Sequence, residues 1–210
     1  MALNYIVLST GRARSGVLTK YLAQLGVGDP NEYYEKLRFD LHKCSTEPEV
    51  KEWLSQKRKN DILGMRMVGS HIRCMHNRLG IRLKEFINTY LPNAVYIHQT
   101  RDPVRQAIES QLCCIDRGKQ EAFCKEILKK RVCQIVISNA AYEAYFKKHQ
   151  ITPILINAFD LEENPIPTVQ NVLDGLGLDI KADRIRPEFT DKYMSKEGNR
   201  IYETLFKRYQ

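Results

Sequence analysis

Asn4-Tyr5-Ile6-Val7-Leu8-Ser9-Thr10-Gly11-Arg12-Ala13-Arg14-Ser15-Gly16-Val17-Leu18 decides how this chain reads. A short apolar run passes through a turn containing glycine and serine into a stretch with helical spacing, which is the order strand, loop, helix. Asp61–Val68, Ala94–Thr100 and Thr152–Asn157 share the strand signature. Like Asn4–Ser9 they are apolar on both faces, as strands of a parallel sheet covered on both sides are. Helical spacing predicts helices over Ser15–Leu25, Glu47–Lys59, His71–Tyr90 in one or two pieces, Pro103–Arg117, Lys119–His149 and Pro167–Leu176. The expected fold class is therefore α/β, a central, mostly parallel sheet flanked by helices. In such a fold ligands bind at the carboxyl ends of the strands.

With 210 residues the expectation is one domain over 1–210, in which 181–210 is a basic tail or a C-terminal helix at Ser195–Tyr209. Lys and Arg total 33 against 25 Asp and Glu, a formal charge of +8 that suits an anionic partner. A hydrophobic share of 43% excludes a largely disordered chain. The apolar run ending at Leu8 is too short for a signal-peptide core or a membrane span, so no membrane segment is expected. Six cysteines without a CxxC pair suggest free thiols in a reduced, cytoplasmic setting. His71 and His76 do not form HExxH, and Cys113-Cys114 lacks zinc-ligand spacing, so no metal is expected. Lys125, Lys129, Lys130 and Arg131 read as a solvated helix face, which makes nucleic acid an unexpected partner.

Two strand-to-helix loops carry the candidate chemistry. In the first, backbone N–H groups at the start of a helix can seat a phosphate, and Arg12 and Arg14 add charge. It is not a Walker A loop, because GxxxxGK[ST] is absent. In the second, Ile97 to Ser110, Asp102 can cap the helix that Pro103 opens and Arg101 stands at the strand's carboxyl end. Two such loops suit the two ends of a bisphosphorylated nucleotide.

In these residues the chain resembles the sulfotransferases that use 3′-phosphoadenosine 5′-phosphosulfate (PAPS), most closely the bacterial trehalose sulfotransferase type. That family reads as an apolar strand, Arg-Ser-Gly-Ser-Thr-Leu-Leu, a helix, then Gly-x-Pro-x-Glu and two aromatics. Here Tyr5–Leu8, Arg12, Ser15, Val17-Leu18, Leu22 and Gly26 fall in step without a gap, followed by Gly28-Asp29-Pro30-Asn31-Glu32-Tyr33-Tyr34. Gly64-Met65-Arg66-Met67 resembles its Gly-Val-Lys strand, and Arg101-Asp102-Pro103-Val104 with Gln106-Ala107 its 3′-phosphate motif. Phe159-Asp160-Leu161, Asn164-Pro165 and Leu176-Gly177-Leu178 resemble a later segment, so the likeness runs over most of residues 4–178.

The resemblance implies a P-loop-like sulfotransferase fold and transfer of a sulfuryl group from PAPS to a hydroxyl of a sugar or glycolipid, without a metal. Arg12, Ser15 and the loop amides, with Arg14 and Gly16 beside them, would hold the 5′-phosphosulfate. Arg101, with Arg105 or Ser110, would hold the 3′-phosphate. Glu32 would act as general base, with Arg12 at the reacting group and His98 in reserve. The family's habit implies a homodimer. Arg14 stands where the gapless register has glycine, whereas a register shifted by two would match Arg14-Ser15-Gly16 to Arg-Ser-Gly. Glu109 stands where the 3′-phosphate motif has serine. These departures keep two alternatives open: a catalytically impaired nucleotide-binding protein of the same fold, and a basic nucleic-acid-binding module.

Overall fold

A computed structural model describes residues 2–32, 46–69, 71–72, 80–186 and 196–206. Strand β1 spans Leu3–Ser9, β2 Ile62–Val68, β3 Val95–Thr100 and β4 Ile154–Asn157. All pairings are parallel, in the order β2-β1-β3-β4. The helices are α1 (Ser15–Gln24), α2 (Glu47–Ser55), α3 (Leu83–Tyr90), α4 (Pro103–Asp116), α5 (Lys125–His149), α6 (Ala158–Glu163), α7 (Pro165–Gly175) and α8 (Lys196–Phe206).

Alternation along β1 divides the core. Tyr5 and Val7 pack with Leu18 and Leu22 of α1 and with Val169, Val172 and Leu173 of α7. Ile6 and Leu8 face the other way, onto Leu54, Phe86, Ile87 and Phe146 from α2, α3 and α5. Both faces are covered, which is why the strand has no polar stripe. From β1 the chain moves outward to β2 and then crosses back to β3, so the strand order reverses between β1 and β3. The loops after those two strands bound a crevice at the carboxyl edge, the usual ligand position in an open α/β sheet.

The predicted strands are all present. Several helix limits differ. Lys119–His149 is broken at its start: Gly118 turns the chain at a φ of 64°, and α5 begins only at Lys125. The helix expected from Glu47 stops at Ser55, and of the one expected over His71–Tyr90 the described residues show helix at 71–72 and Leu83–Tyr90. The short α6, capped by the Asn157 side chain accepting from the Phe159 amide, is additional. Tyr33, Tyr34, Cys44, Cys74 and His76 lie outside the described residues. Among those described, no helix is long and apolar enough to cross a membrane.

Candidate functional site

The loop from Thr10 to Arg14 turns on two arginines in the left-handed region, Arg12 at φ 66° and Arg14 at φ 63°. Arg14 is the residue that the gapless register aligns with the family's glycine, and the backbone there keeps the conformation glycine adopts most easily. Gly16, the second residue of α1, is helical and not left-handed. Polar anchors hold the loop from beneath. Gln99 Nε2 donates to the Ala13 carbonyl at 2.8 Å, and the side chains of Thr10 and Gln106 meet at 3.1 Å. Ser9 Oγ donates to Ser15 Oγ at 2.9 Å. The amides of Ser15 and Gly16, at the positive end of α1, make no backbone hydrogen bond among the described residues.

Behind the loop lies a quartet of charges. Glu109 Oε2 meets Arg14 at 3.2 Å and Arg101 at 2.5 Å. Glu162 Oε1 meets the same two arginines at 3.3 and 3.2 Å. The four side chains are between 3 and 14% exposed, so their attraction is little screened by solvent. The carboxylate of Glu109, which stands at the motif's serine, thus lies on Arg101 itself. Ser110, one of the alternatives to stand beside Arg101, faces the α5 side: its Oγ accepts from Arg131 Nη1 at 2.8 Å. The same contact makes Arg131 a packing residue rather than part of a solvated face. Arg105 lies apart from the quartet, its guanidinium 4.7 Å from the centre of the Tyr202 ring of α8. Arg12 donates from Nη2 to Cys113 Sγ at 2.6 Å, while its carbonyl accepts from Arg101.

In front of the loop is a cleft of about 820 Å³ lined by Arg12, Ser15, Gly16, Glu32, Arg66 and His71 among others. Glu32 reaches it because the Arg66 amide donates to the Asn31 carbonyl at 2.9 Å, fastening that segment to β2. Arg66 Nη2 pairs with Glu32 Oε1 at 3.0 Å. A Cβ on Gly16 would stand 2.5 Å from Arg66 Nη1, so the absence of a side chain lets the guanidinium lie against the first turn of α1. Arg66 was missed as a site residue, although its position matches the lysine of the Gly-Val-Lys strand. Glu162 was missed too, and no local pattern marks it.

His98 takes no part in this cleft. It is 2% exposed and packs between Tyr142 and Phe146 on the α5 face, with ring centroids 5.4 and 5.3 Å away. Burial pushes its pKa below the usual range, and Glu143 opposes the shift. The reserve role therefore fails on geometry. His71 does line the cleft, and its Nδ1 accepts from the Val68 amide at 3.4 Å. Among the described residues no cluster of three or more His, Cys, Asp or Glu is arranged to hold a metal.

Comparisons with known proteins agree with this architecture. A family model described as Stf0 sulphotransferase matches residues 116–208, which leaves the loop after β1 outside the match. No curated protein sequence matches the chain. Among solved structures, a sulfotransferase from Alicyclobacillus acidocaldarius is similar with a TM-score of 0.60 at 13% identity, over 99% of this chain and 92% of that one. The sulfotransferase domain of the Synechococcus PCC 7002 olefin synthase gives 0.54 at 15% identity, over 92% and 79%. The sulfotransferase domain from the curacin biosynthetic pathway gives 0.54 at 13%, over 93% and 81%. The fold is that of the sulfotransferases.

Proposed function

We propose that this chain transfers a sulfuryl group from PAPS to a hydroxyl group of a carbohydrate or glycolipid. The observation that carries the reading is the Glu32–Arg66 pair set against the first turn of α1 in one cleft. Sulfuryl transfer resembles phosphoryl transfer in needing alignment and charge neutralisation more than covalent help. The amides of Ser15 and Gly16, with Arg66 and Arg12 beside them, offer donors to an anionic group bound over the loop. Glu32 offers a carboxylate to the proton of an alcohol that attacks the sulfur as the bond to the 5′-phosphate oxygen breaks. The leaving nucleotide keeps that electron pair, and cations at the loop offset the charge it gains. No step asks for a metal.

One observation favours a second reading, an impaired nucleotide-binding protein of the same fold. Arg14 and Arg101 are already neutralised by Glu109 and Glu162. Radiolabelled PAPS with a panel of sugars and glycolipids separates the two. Acceptor-dependent transfer of label supports the enzyme; binding of adenosine 3′,5′-bisphosphate without transfer to any member supports the impaired protein. Binding of neither nucleotide removes both readings.

A further inference from the structure

Helix α5 carries two opposite seams, so its apolar residues are spread around it rather than gathered on one side. Leu128, Val132, Ile135, Tyr142 and Phe146 recur at steps of three, four or seven residues and pack against the rest of the molecule. Two residues further on, and so about 200° round the helix, Lys130, Cys133, Ile137, Ala140 and Ala144 recur at alternating steps of three and four. Glu126 and Lys147 continue that outer seam at its two ends, and every one of its side chains is exposed. Val136 flanks it at the midpoint. There Val136 is 50% and Ile137 68% exposed, so two large apolar side chains lie bare side by side. We propose that the outer seam of α5 packs antiparallel against the same seam of a second copy of this chain, with Val136 and Ile137 astride the two-fold axis.

Spacing is the first ground. Alternating steps of three and four are the repeat with which one helix packs along another at a shallow angle, and among the described residues nothing covers this one. Charge then selects the partner and its direction. Reversal about the midpoint of Val136 and Ile137 sets Cys133 against Ala140, Lys130 against Glu143 and Glu126 against Lys147. Opposite charges therefore meet on both sides of the apolar centre, and the two-fold axis repeats each pair. A parallel pairing would instead set Glu126, Lys130 and Lys147 each beside its own copy, which is repulsive. Two features oppose the antiparallel arrangement only weakly. Lys125 and Lys148 stand one position outside the seam and meet at its ends, where solvent and salt screen them. Glu126 lies 3.4 Å from Lys129 in an exposed pair worth little, which Lys147 of the other copy would join. The small side chains of Ala140 and Ala144 let the helices approach closely enough to bury Val136 and Ile137. An interface one helix wide is narrow, so the dimer should dissociate in the micromolar range.

Sedimentation equilibrium of the full chain between about 1 and 100 µM tests this pairing. The parent should pass from monomer to dimer across that range. Ile137→Asp changes a side chain that is exposed in the single chain, so circular dichroism and the thermal midpoint of the monomer should stay parental while the dissociation constant rises by about 30-fold or more. Lys130→Glu sets like charges together and should weaken the dimer by about tenfold. Adding Glu143→Lys should return the dissociation constant to near its parental value, because reversal about the same midpoint restores the pair. A parent that stays monomeric at about 100 µM overturns the proposal. A parental dimer that Ile137→Asp leaves intact overturns it too, since association then uses another face. A double variant that associates no better than Lys130→Glu alone overturns the antiparallel register.

Discussion

Arg101 Nη1 donates to Glu109 Oε2 across 2.5 Å, and both side chains are only 3% exposed. The two residues are eight apart, one at the carboxyl end of β3 and the other two turns into α4, so their pairing ties the strand to the helix that follows it. The same carboxylate oxygen reaches Arg14 from the loop after β1, so one atom joins both edges of the crevice.

Removing Glu109's charge should therefore be costly. Glu109→Gln leaves two buried arginines with Glu162 between them, and breaking a buried pair on one side typically costs about 3–5 kcal/mol. Replacing both partners, as in Arg101→Met with Glu109→Leu, should cost less than the sum of the two single changes, because no orphaned charge remains. Urea unfolding of the three variants measures this. A loss under about 1 kcal/mol for Glu109→Gln would mean the pair does not hold the crevice.

Arg14 sets two effects against each other. Arg14→Gly relieves a left-handed residue, worth about 1–2 kcal/mol, but removes contacts to both Glu109 and Glu162. Loss of one side of a buried, 12% exposed ionic contact outweighs that relief, at about 3 kcal/mol or more. The variant should be less stable than the parent by about 1–2 kcal/mol in the same unfolding measurement. Greater stability would show that the backbone conformation, not the quartet, governs this position.

Much of this site was legible in the strand and loop patterns, because apolar runs and helix starts are local signals. Asp102 caps α4 as its Asp-Pro sequence predicts, and the crevice follows once the strands are parallel. The charge quartet was not legible. Arg14, Arg101, Glu109 and Glu162 come from three separated segments, and only the tertiary fold brings them together. Serine 110 shows the same limit at shorter range: it is next to Glu109 in sequence, yet the 100° step of the helix aims it at Arg131 instead.

Histidine 98 gives a pH prediction. Its pKa is lowered by burial, so the folded state holds fewer protons than the unfolded chain once the pH falls to the ordinary value of 6.5. Its contribution to stability is present above about pH 6.5 and is lost as the pH falls toward and through the lowered folded value. Replacing it with phenylalanine should flatten the fall of the thermal midpoint between about pH 6.5 and 5, before the carboxylates titrate. An unchanged slope in that interval would show that His98 does not carry the dependence.

Gly16→Ala separates folding from function in the cleft. The added Cβ meets the far end of a flexible side chain, Arg66 Nη1 at 2.5 Å, so the guanidinium moves and the backbone does not. Alanine also favours the helix by about 0.5–1 kcal/mol over glycine, so the unfolding free energy should stay within about 1 kcal/mol of the parent. Moving Arg66 breaks its contact with Glu32, and sulfuryl transfer should fall while the protein remains folded. Parental turnover in a folded Gly16→Ala protein would remove Arg66 from the reaction.

Glu32→Gln tests the chemical step itself. An alcohol is a poor nucleophile until its proton is being accepted, and Glu32 lies in the cleft beside the α1 loop, fastened to β2 through Asn31. Glutamine keeps the shape and cannot take the proton, so turnover should fall by roughly 10²–10⁴-fold with donor affinity nearly unchanged. The Arg66 pairing sharpens the test, because a carboxylate that served only to hold Arg66 would behave differently. In that case Arg66→Met would produce the same loss as Glu32→Gln, and the double variant would lose no more. If Glu32 accepts the proton, Arg66→Met keeps a carboxylate in the cleft and retains a pH-dependent rate that Glu32→Gln lacks. Parallel pH–rate profiles of the two variants decide between a base and a tether, and identical flat profiles would assign Glu32 to the tether.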